Sequence, residues 1–323
     1  MARTVDVDEL VERGLAGDPR SVGRLITLVE DGAPQLRALM AALASRSGSA
    51  HIVGLTGSPG VGKSTTTSAL VAQFRAAGRR VGVLAVDPSS PFSGGALLGD
   101  RIRMQEHATD PEVFIRSMAS RGHLGGLASA TPQAVRVLDA AGCDPVLVET
   151  VGVGQSEVEV AGEADTTIVL LAPGMGDGIQ AAKAGILEVG DIFVVNKADR
   201  DGADATAREL RHMISLGPSG QAGAWKPPVL KVIATRGEGL SALVAAIDEH
   251  RAWLESSGTG TVRRRTRARS EIQGIALAAL QARFAGIGGD GALEGLADDV
   301  AAGRTDAFTA ADRIVAEVAG RAG

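Results

Sequence analysis

Several common kinds of site are excluded by what this chain lacks. It has one cysteine, Cys143, so an intramolecular disulfide and any paired-cysteine metal or redox motif are ruled out. Its five histidines, at 51, 107, 123, 212 and 250, fall at no ligand spacing, and no histidine metal site is readable. No apolar run is long enough to cross a bilayer. The acidic opening Met-Ala-Arg-Thr-Val-Asp-Val-Asp-Glu-Leu does not suit a secretory signal. The expectation is a cytoplasmic protein with no membrane partner. Net charge is −5, which argues against non-specific nucleic-acid binding. Lysine is scarce, five of 33 basic residues, at 63, 183, 197, 226 and 231. In a chain this rich in arginine, a lysine hints that a compact ammonium is wanted there. What is plentiful is apolar residue, 45 % of 323, enough for one large α/β domain with additions or two modest domains.

Residues 5–46 carry apolar residues at three- and four-residue spacing, which predicts helices over 5–14, 19–30 and 33–43. Asp18-Pro19 offers an N-cap followed by proline at the first helical position. Arg46-Ser47-Gly48-Ser49 is a polar joint. Beyond it strands and helices alternate, the sign of a mostly parallel sheet covered on both faces. Strands are expected at 51–56, 81–86, 113–117, 145–149, 166–171, 191–196 and 229–233. Helices are expected at about 63–77, 100–108, 131–141, 179–188, 203–215 and 239–254. After Gly258 the sequence becomes Arg-rich and Ala/Leu-rich helix to about 284, then a glycine break (Gly286 to Gly291) and two shorter helical stretches. The division is a helical extension at 1–50, a nucleotide domain at 51–257 and a helical arm at 258–323. That arm serves dimerisation or a partner, or packs on the domain. The Arg263 to Arg269 run reads as a solvated helix start or a surface for an acidic partner, ahead of nucleic acid.

The chemistry is concentrated in loops that follow strands. Gly57-Ser58-Pro59-Gly60-Val61-Gly62-Lys63-Ser64 matches G-x-x-x-x-G-K-[ST] between a strand and a helix. Such a loop offers backbone N–H groups and a helix N-terminus to phosphates. Lys63 would reach the β- and γ-phosphates, Ser64 would ligate Mg²⁺, and Thr65 completes the loop. Asn196-Lys197-Ala198-Asp199 follows a strand 132 positions after Ser64. An Asp199 carboxylate can accept two hydrogen bonds from guanine, whereas adenine offers no donor at either place. Lys197 would cover the base and Asn196 would tie the two loops. Ala234, Thr235 and Arg236 end the next strand, where base contacts through backbone groups are expected. Glu149-Thr150-Val151-Gly152 is a glutamate version of D-x-x-G, with Glu149 near Mg²⁺ and Gln155 a candidate to orient water, or a solvated loop residue. Asp87 and Asp100 are further hard-oxygen candidates for Mg²⁺, Asp100 being equally placed as a helix N-cap. Asp177 and Lys183 lie in a glycine-rich loop suited to rearrange with the nucleotide, Lys183 having a bland alternative as a surface helix residue.

With these motifs in place the chain resembles the MeaB/MMAA-type GTPases of the metallochaperone-like P-loop group. The resemblance rests on GLTGSPGVGKST (54–65), VDPSSPFSGGALLGDRIRM (86–104), VFIRSMASRGHLGG (113–126), VETVGVGQSE (148–157), APGMGDGIQAAKAGILE (172–188) and NKAD (196–199). It covers the motif-bearing core closely and, with looser helical ends, nearly the whole chain. It implies a homodimeric GTPase that uses GTP/GDP and Mg²⁺ and chaperones adenosylcobalamin-dependent methylmalonyl-CoA mutase, gating cofactor loading and protecting or reactivating the mutase. By position it puts Asp87, Asp100 and Glu149 on the family's Mg²⁺ region, and Asp177 and Lys183 on an additional switch. The competing expectation is a nickel or other metallochaperone GTPase, although the His-rich tails and Cys motifs usual there are missing. An older family label, arginine/ornithine transport kinase, finds no membrane segment or phosphoacceptor site here.

Overall fold

The structure is a computed structural model that describes residues 7–87, 104–119, 130–150, 162–174, 187–216, 223–287 and 289–320. Three helices open the chain: α1 (Val7–Leu15), α2 (Pro19–Glu30) and α3 (Leu36–Leu43). The Asp18 cap is present, its Oδ2 accepting the Ser21 N–H at 2.9 Å and the Ser21 hydroxyl at 2.5 Å. α3 starts three residues later than expected, because 33–35 form a turn in which the Leu36 N–H reaches only the Ala33 carbonyl.

The α/β part runs β1 (Ile52–Thr56), α4 (Lys63–Ala76), β2 (Val81–Asp87), a 3-10 turn (Gln105–His107), β3 (Val113–Ala119), α5 (Thr131–Ala140), β4 (Val146–Thr150), β5 (Thr166–Leu171), β6 (Ile192–Asn196), α6 (Ala203–Ser215), β7 (Val229–Val232), a 3-10 turn (Ala234–Arg236) and α7 (Leu240–Ser256). The seven strands form one sheet in the order β3-β2-β4-β1-β5-β6-β7, and every pairing is parallel. A strand packed on both faces has no solvent side to alternate with. This is why β1, β4, β5 and β6 are apolar almost without interruption and wholly buried. On one face Val22, Leu25, Ile26, Leu39 and Leu43 of the opening helices share a core with Leu84, Phe114, Val148 and α5. On the other, Leu70, Val71 and Phe74 of α4 meet Val53, Leu55, Leu147, Leu170 and α7.

Aspartates staple the amino edge of the sheet. Asp139 accepts the Ala50 N–H at 3.0 Å, Asp144 that of His51 at 3.0 Å, Asp165 that of Ile52 at 3.0 Å and Asp191 that of Thr167 at 2.8 Å. A strand's first N–H groups lack ladder partners, and a carboxylate supplies a strong acceptor. Two of these aspartates also hold helices. Asp144 pairs with Arg251 of α7 at 2.8 Å, and Asp191 takes both Nη atoms of Arg263 at 2.9 Å. Two histidines that stand 199 positions apart meet here over one hydroxyl: Thr166 Oγ1 lies 2.8 Å from His51 Nε2 and 2.7 Å from His250 Nδ1. Burial depresses both imidazoles, His250 to about 4.

The chain divides into two compact units, Met1–Arg263 and Arg264–Gly323. Within the second, α8 (Thr259–Ile287, entered from the first unit) is followed by α9 (Gly289–Ala301) and α10 (Ala307–Gly320). The expected glycine break is narrower than its sequence suggested. α8 continues through Gly286, while Gly289 and Gly291 are already helical, since helix hydrogen bonding tolerates glycine at an energetic cost of about 1 kcal/mol. Among the described residues no helix is long and apolar enough to cross a membrane.

Candidate functional site

The candidate site lies at the carboxyl ends of β1, β4, β6 and β7, where ligands bind in open parallel sheets. β1 leaves the sheet at Thr56 and the chain turns through residues 57–62 into α4. Gly57 and Gly62 have φ of 140° and 97°. A Cβ at Gly57 would come within 2.2 Å of the Leu170 carbonyl oxygen, and one at Gly62 within 2.4 Å of Asn196 Nδ2. The loop therefore needs glycine at both ends, for backbone shape and for room. Val61 is buried and anchors it, Ser58 is half-buried, and Pro59, Gly60 and Thr65 face solvent. The Lys63 ammonium folds back over its own loop, donating to the Gly57 carbonyl at 2.7 Å and to that of Ser58 at 3.3 Å.

Glu149, in β4, is buried. Its Oε1 accepts the Ser64 hydroxyl at 2.6 Å and its Oε2 accepts the Thr67 hydroxyl at 2.9 Å. Sequence reasoning singled out Ser64 and Glu149 but missed Thr67. Its signal was available, a hydroxyl one helical turn after Ser64 and so on the same face.

Asn196 ends β6 and bridges two loops. Its Nδ2 donates to the Val61 carbonyl at 2.9 Å and its Oδ1 accepts the Ala234 N–H at 3.2 Å. Lys197 has φ 56°, the one non-glycine in the left-handed region among the described residues, and its ammonium donates to the Gly60 carbonyl at 2.6 Å. Asp199 faces Arg236, Oδ2 to Nη2 at 3.6 Å. Of the three residues after β7, Ala234 is buried with its N–H engaged by Asn196, while Thr235 and Arg236 are exposed. The phosphate-type loop, the Asn196-Lys197-Ala198-Asp199 loop and the turn after β7 thus share one rim, joined by side chains. Asp87 closes β2 at the same rim, one residue beyond the Val86–Thr150 register pair. Its side chain lies outside the described residues, as do Asp100, Gln155, Asp177 and Lys183.

Comparison with known proteins agrees with this geometry. Residues 22–287 match the family described as methylmalonyl Co-A mutase-associated GTPase MeaB. A putative GTPase of Pyrococcus abyssi is 48 % identical over 315 residues, covering 97 % of this chain and 97 % of that one. The mouse protein named methylmalonic aciduria type A homolog, mitochondrial, is 38 % identical over 216 residues, 66 % of this chain and 52 % of that one. A crystal structure titled as an LAO/AO transport system kinase superposes with a TM-score of 0.72 at 25 % identity, covering 98 % of each chain. Motifs, sheet order and relatives agree: the chain belongs to the MeaB family of P-loop GTPases and is a GTP hydrolase.

Proposed function

We propose that this GTPase is a nucleotide-dependent chaperone of adenosylcobalamin-dependent methylmalonyl-CoA mutase, gating cofactor loading and protecting or reactivating the mutase. The family description and the name of the mouse relative support that partner. The observation that carries the nucleotide half is the Asn196 bridge. By bonding to Val61 on one side and Ala234 on the other, it holds the phosphate loop and the Asp199 loop at a fixed separation, as a single nucleotide spanning both requires.

In this reading the N–H groups of residues 57–65 and the N-terminus of α4 bind the phosphates of the substrate GTP. The Lys63 ammonium exchanges the Gly57 and Ser58 carbonyls for β- and γ-phosphate oxygens. Asp199 leaves Arg236 to accept the N1–H and exocyclic amine of guanine, the stem of Lys197 covers the base, and the Ala234–Arg236 turn closes its edge. Water attacks the γ-phosphorus, the bond to the β-phosphate oxygen breaks, and Lys63 stabilises the charge that develops there. Ser64 and Glu149 present hard oxygens 2.6 Å apart, a donor set that fits Mg²⁺. With Asp87 and Asp100 they would hold that ion, which offsets phosphate charge. Gln155 is assigned to orienting the water, and Asp177 and Lys183 to relaying the nucleotide state to the partner. The arm at 258–323 is assigned to homodimerisation or partner contact, supported by the exposure of Ile272, Ile275 and Leu280. The division at 50 and 257 and a cytoplasmic location belong to the same proposal.

The test is GTP hydrolysis by the full chain with and without purified mutase at equal Mg²⁺. Marked acceleration is expected. Unchanged turnover in the presence of the mutase, with GTP binding intact, would remove that partner.

A further inference from the structure

Four threonines in the described helices bond back to a carbonyl four residues earlier: Thr27 to Gly23, Thr66 to Gly62, Thr206 to Gly202 and Thr67 to Lys63, at 2.9 to 3.1 Å. This is the ordinary way for a threonine hydroxyl to be satisfied inside a helix. Thr67 differs, because its Oγ1 also stands 2.9 Å from Glu149 Oε2, and both residues are buried. A hydroxyl has one proton to give. Between a neutral carbonyl at 3.1 Å and a carboxylate at 2.9 Å, the charge-assisted bond is the stronger.

The second half of the geometry is Ser64, one turn earlier on the same face of α4, whose hydroxyl donates to the other oxygen of the same carboxylate at 2.6 Å. Glu149 is therefore gripped at both oxygens by α4. The residue at this place in D-x-x-G GTPases is aspartate, one methylene shorter. The longer side chain carries its carboxylate towards α4, where Thr67 holds the oxygen that Ser64 does not.

We propose that Thr67 is a positioning residue for the cation end of the site: by fixing Glu149 Oε2 it keeps Oε1 as acceptor for the hydroxyl hydrogen of Ser64, and so orients the Ser64 hydroxyl assigned above to the metal. Thr67 acts through Glu149 and Ser64 and itself touches neither nucleotide nor cation. The inference rests on the Ser64–Glu149 reading given above. Outer partners of metal-binding groups commonly change metal affinity by about 10- to 100-fold when removed.

The experiment compares the full-length wild type with Thr67→Val, Thr67→Ala and Thr67→Ser. The Mg²⁺ concentration for half-maximal binding of fluorescent GDP is measured, together with Mn²⁺ affinity by electron paramagnetic resonance. Thr67→Val should raise half-saturating Mg²⁺ about tenfold, with nucleotide affinity recovering in excess Mg²⁺, and Thr67→Ser should stay within about twofold of wild type. If the valine variant does not fold, the alanine and serine pair decides, since both lose the methyl group and only alanine loses the hydroxyl. Equal Mg²⁺ requirements for that pair, or a nucleotide defect that excess Mg²⁺ does not repair, would overturn the proposal. Ser64→Ala and Glu149→Gln separate this failure from that of the underlying reading. If they too leave the Mg²⁺ requirement unchanged, the metal assignment itself is wrong; if they raise it and Thr67→Val does not, only the role of Thr67 falls.

Discussion

The two ends of the sheet both gather polar side chains, and they use them in opposite ways. At the amino end Asp139, Asp144, Asp165 and Asp191 are committed to backbone N–H groups of neighbouring strand starts, and arginines from α7 and α8 close over two of them. These bonds join pieces of the chain that have nowhere else to go. At the carboxyl end Lys63 rests on carbonyls of its own loop, and Asp199 rests beside an exposed arginine at 3.6 Å. Those partners are ones that a phosphate or a guanine can replace at little cost. A polar group committed to internal partners specifies structure, whereas one holding exchangeable partners is poised for a ligand.

The comparison predicts that substitutions at the carboxyl end abolish function and leave stability nearly intact, with the reverse at the amino end. The largest effect is expected from Lys63→Ala, which should lower kcat/KM for GTP by at least about 100-fold with an unchanged urea midpoint. Normal turnover in that variant would show that the poised end is not the active one. Asp199→Asn should reduce the preference for GTP over XTP on the order of 100-fold, read from competition binding. An unchanged preference would remove Asp199 from base recognition.

At the amino end Arg263→Ala strips the guanidinium from a buried carboxylate. It should cost roughly 2 kcal/mol in urea unfolding, less than for a fully enclosed pair because the Arg263 side chain is 35 % exposed. GTP affinity should not move, and a comparable loss there would mean that the two ends are coupled. The most gradual effect concerns pH. His250 is held at about 4 by burial, despite the nearby Asp191 carboxylate, against 6.5 as its ordinary value. Between those values the unfolded chain binds more protons than the folded one. Stability should therefore fall as pH drops through this window, by up to about 1.4 kcal/mol per pH unit for this histidine, and be flat in this respect above it. His51, shifted the same way, adds to the slope. His250→Gln should flatten the urea-midpoint profile between pH 6.5 and 4, and an identical profile would assign the acid sensitivity elsewhere.

The legibility of these two ends in the sequence differs as much as their roles. The phosphate loop, Glu149 and the Asn196 to Asp199 stretch could be read because each is local: a few residues whose backbone shape or donor pattern is fixed by their own order. The strands were legible for a similar reason, since burial on both faces turns β1, β4, β5 and β6 into short, largely apolar runs, and the observed ends of all seven differ from the expected ones by at most two residues. The amino end was not legible. His51 and His250 looked unrelated at 199 positions apart, and no spacing rule links either to Thr166 or Asp191.

The sequence by itself determined the fold class, the GTPase motifs and the Asp18 helix cap, because short-range sterics and periodic burial act on neighbouring residues. Only the tertiary structure decided that Thr67 reaches Glu149, that Asn196 also accepts the Ala234 N–H, and that Asp191 receives Thr167 and Arg263 together. Those contacts depend on how strands are ordered and helices are seated, and a side chain's partner across a sheet is set by packing, which no local pattern encodes.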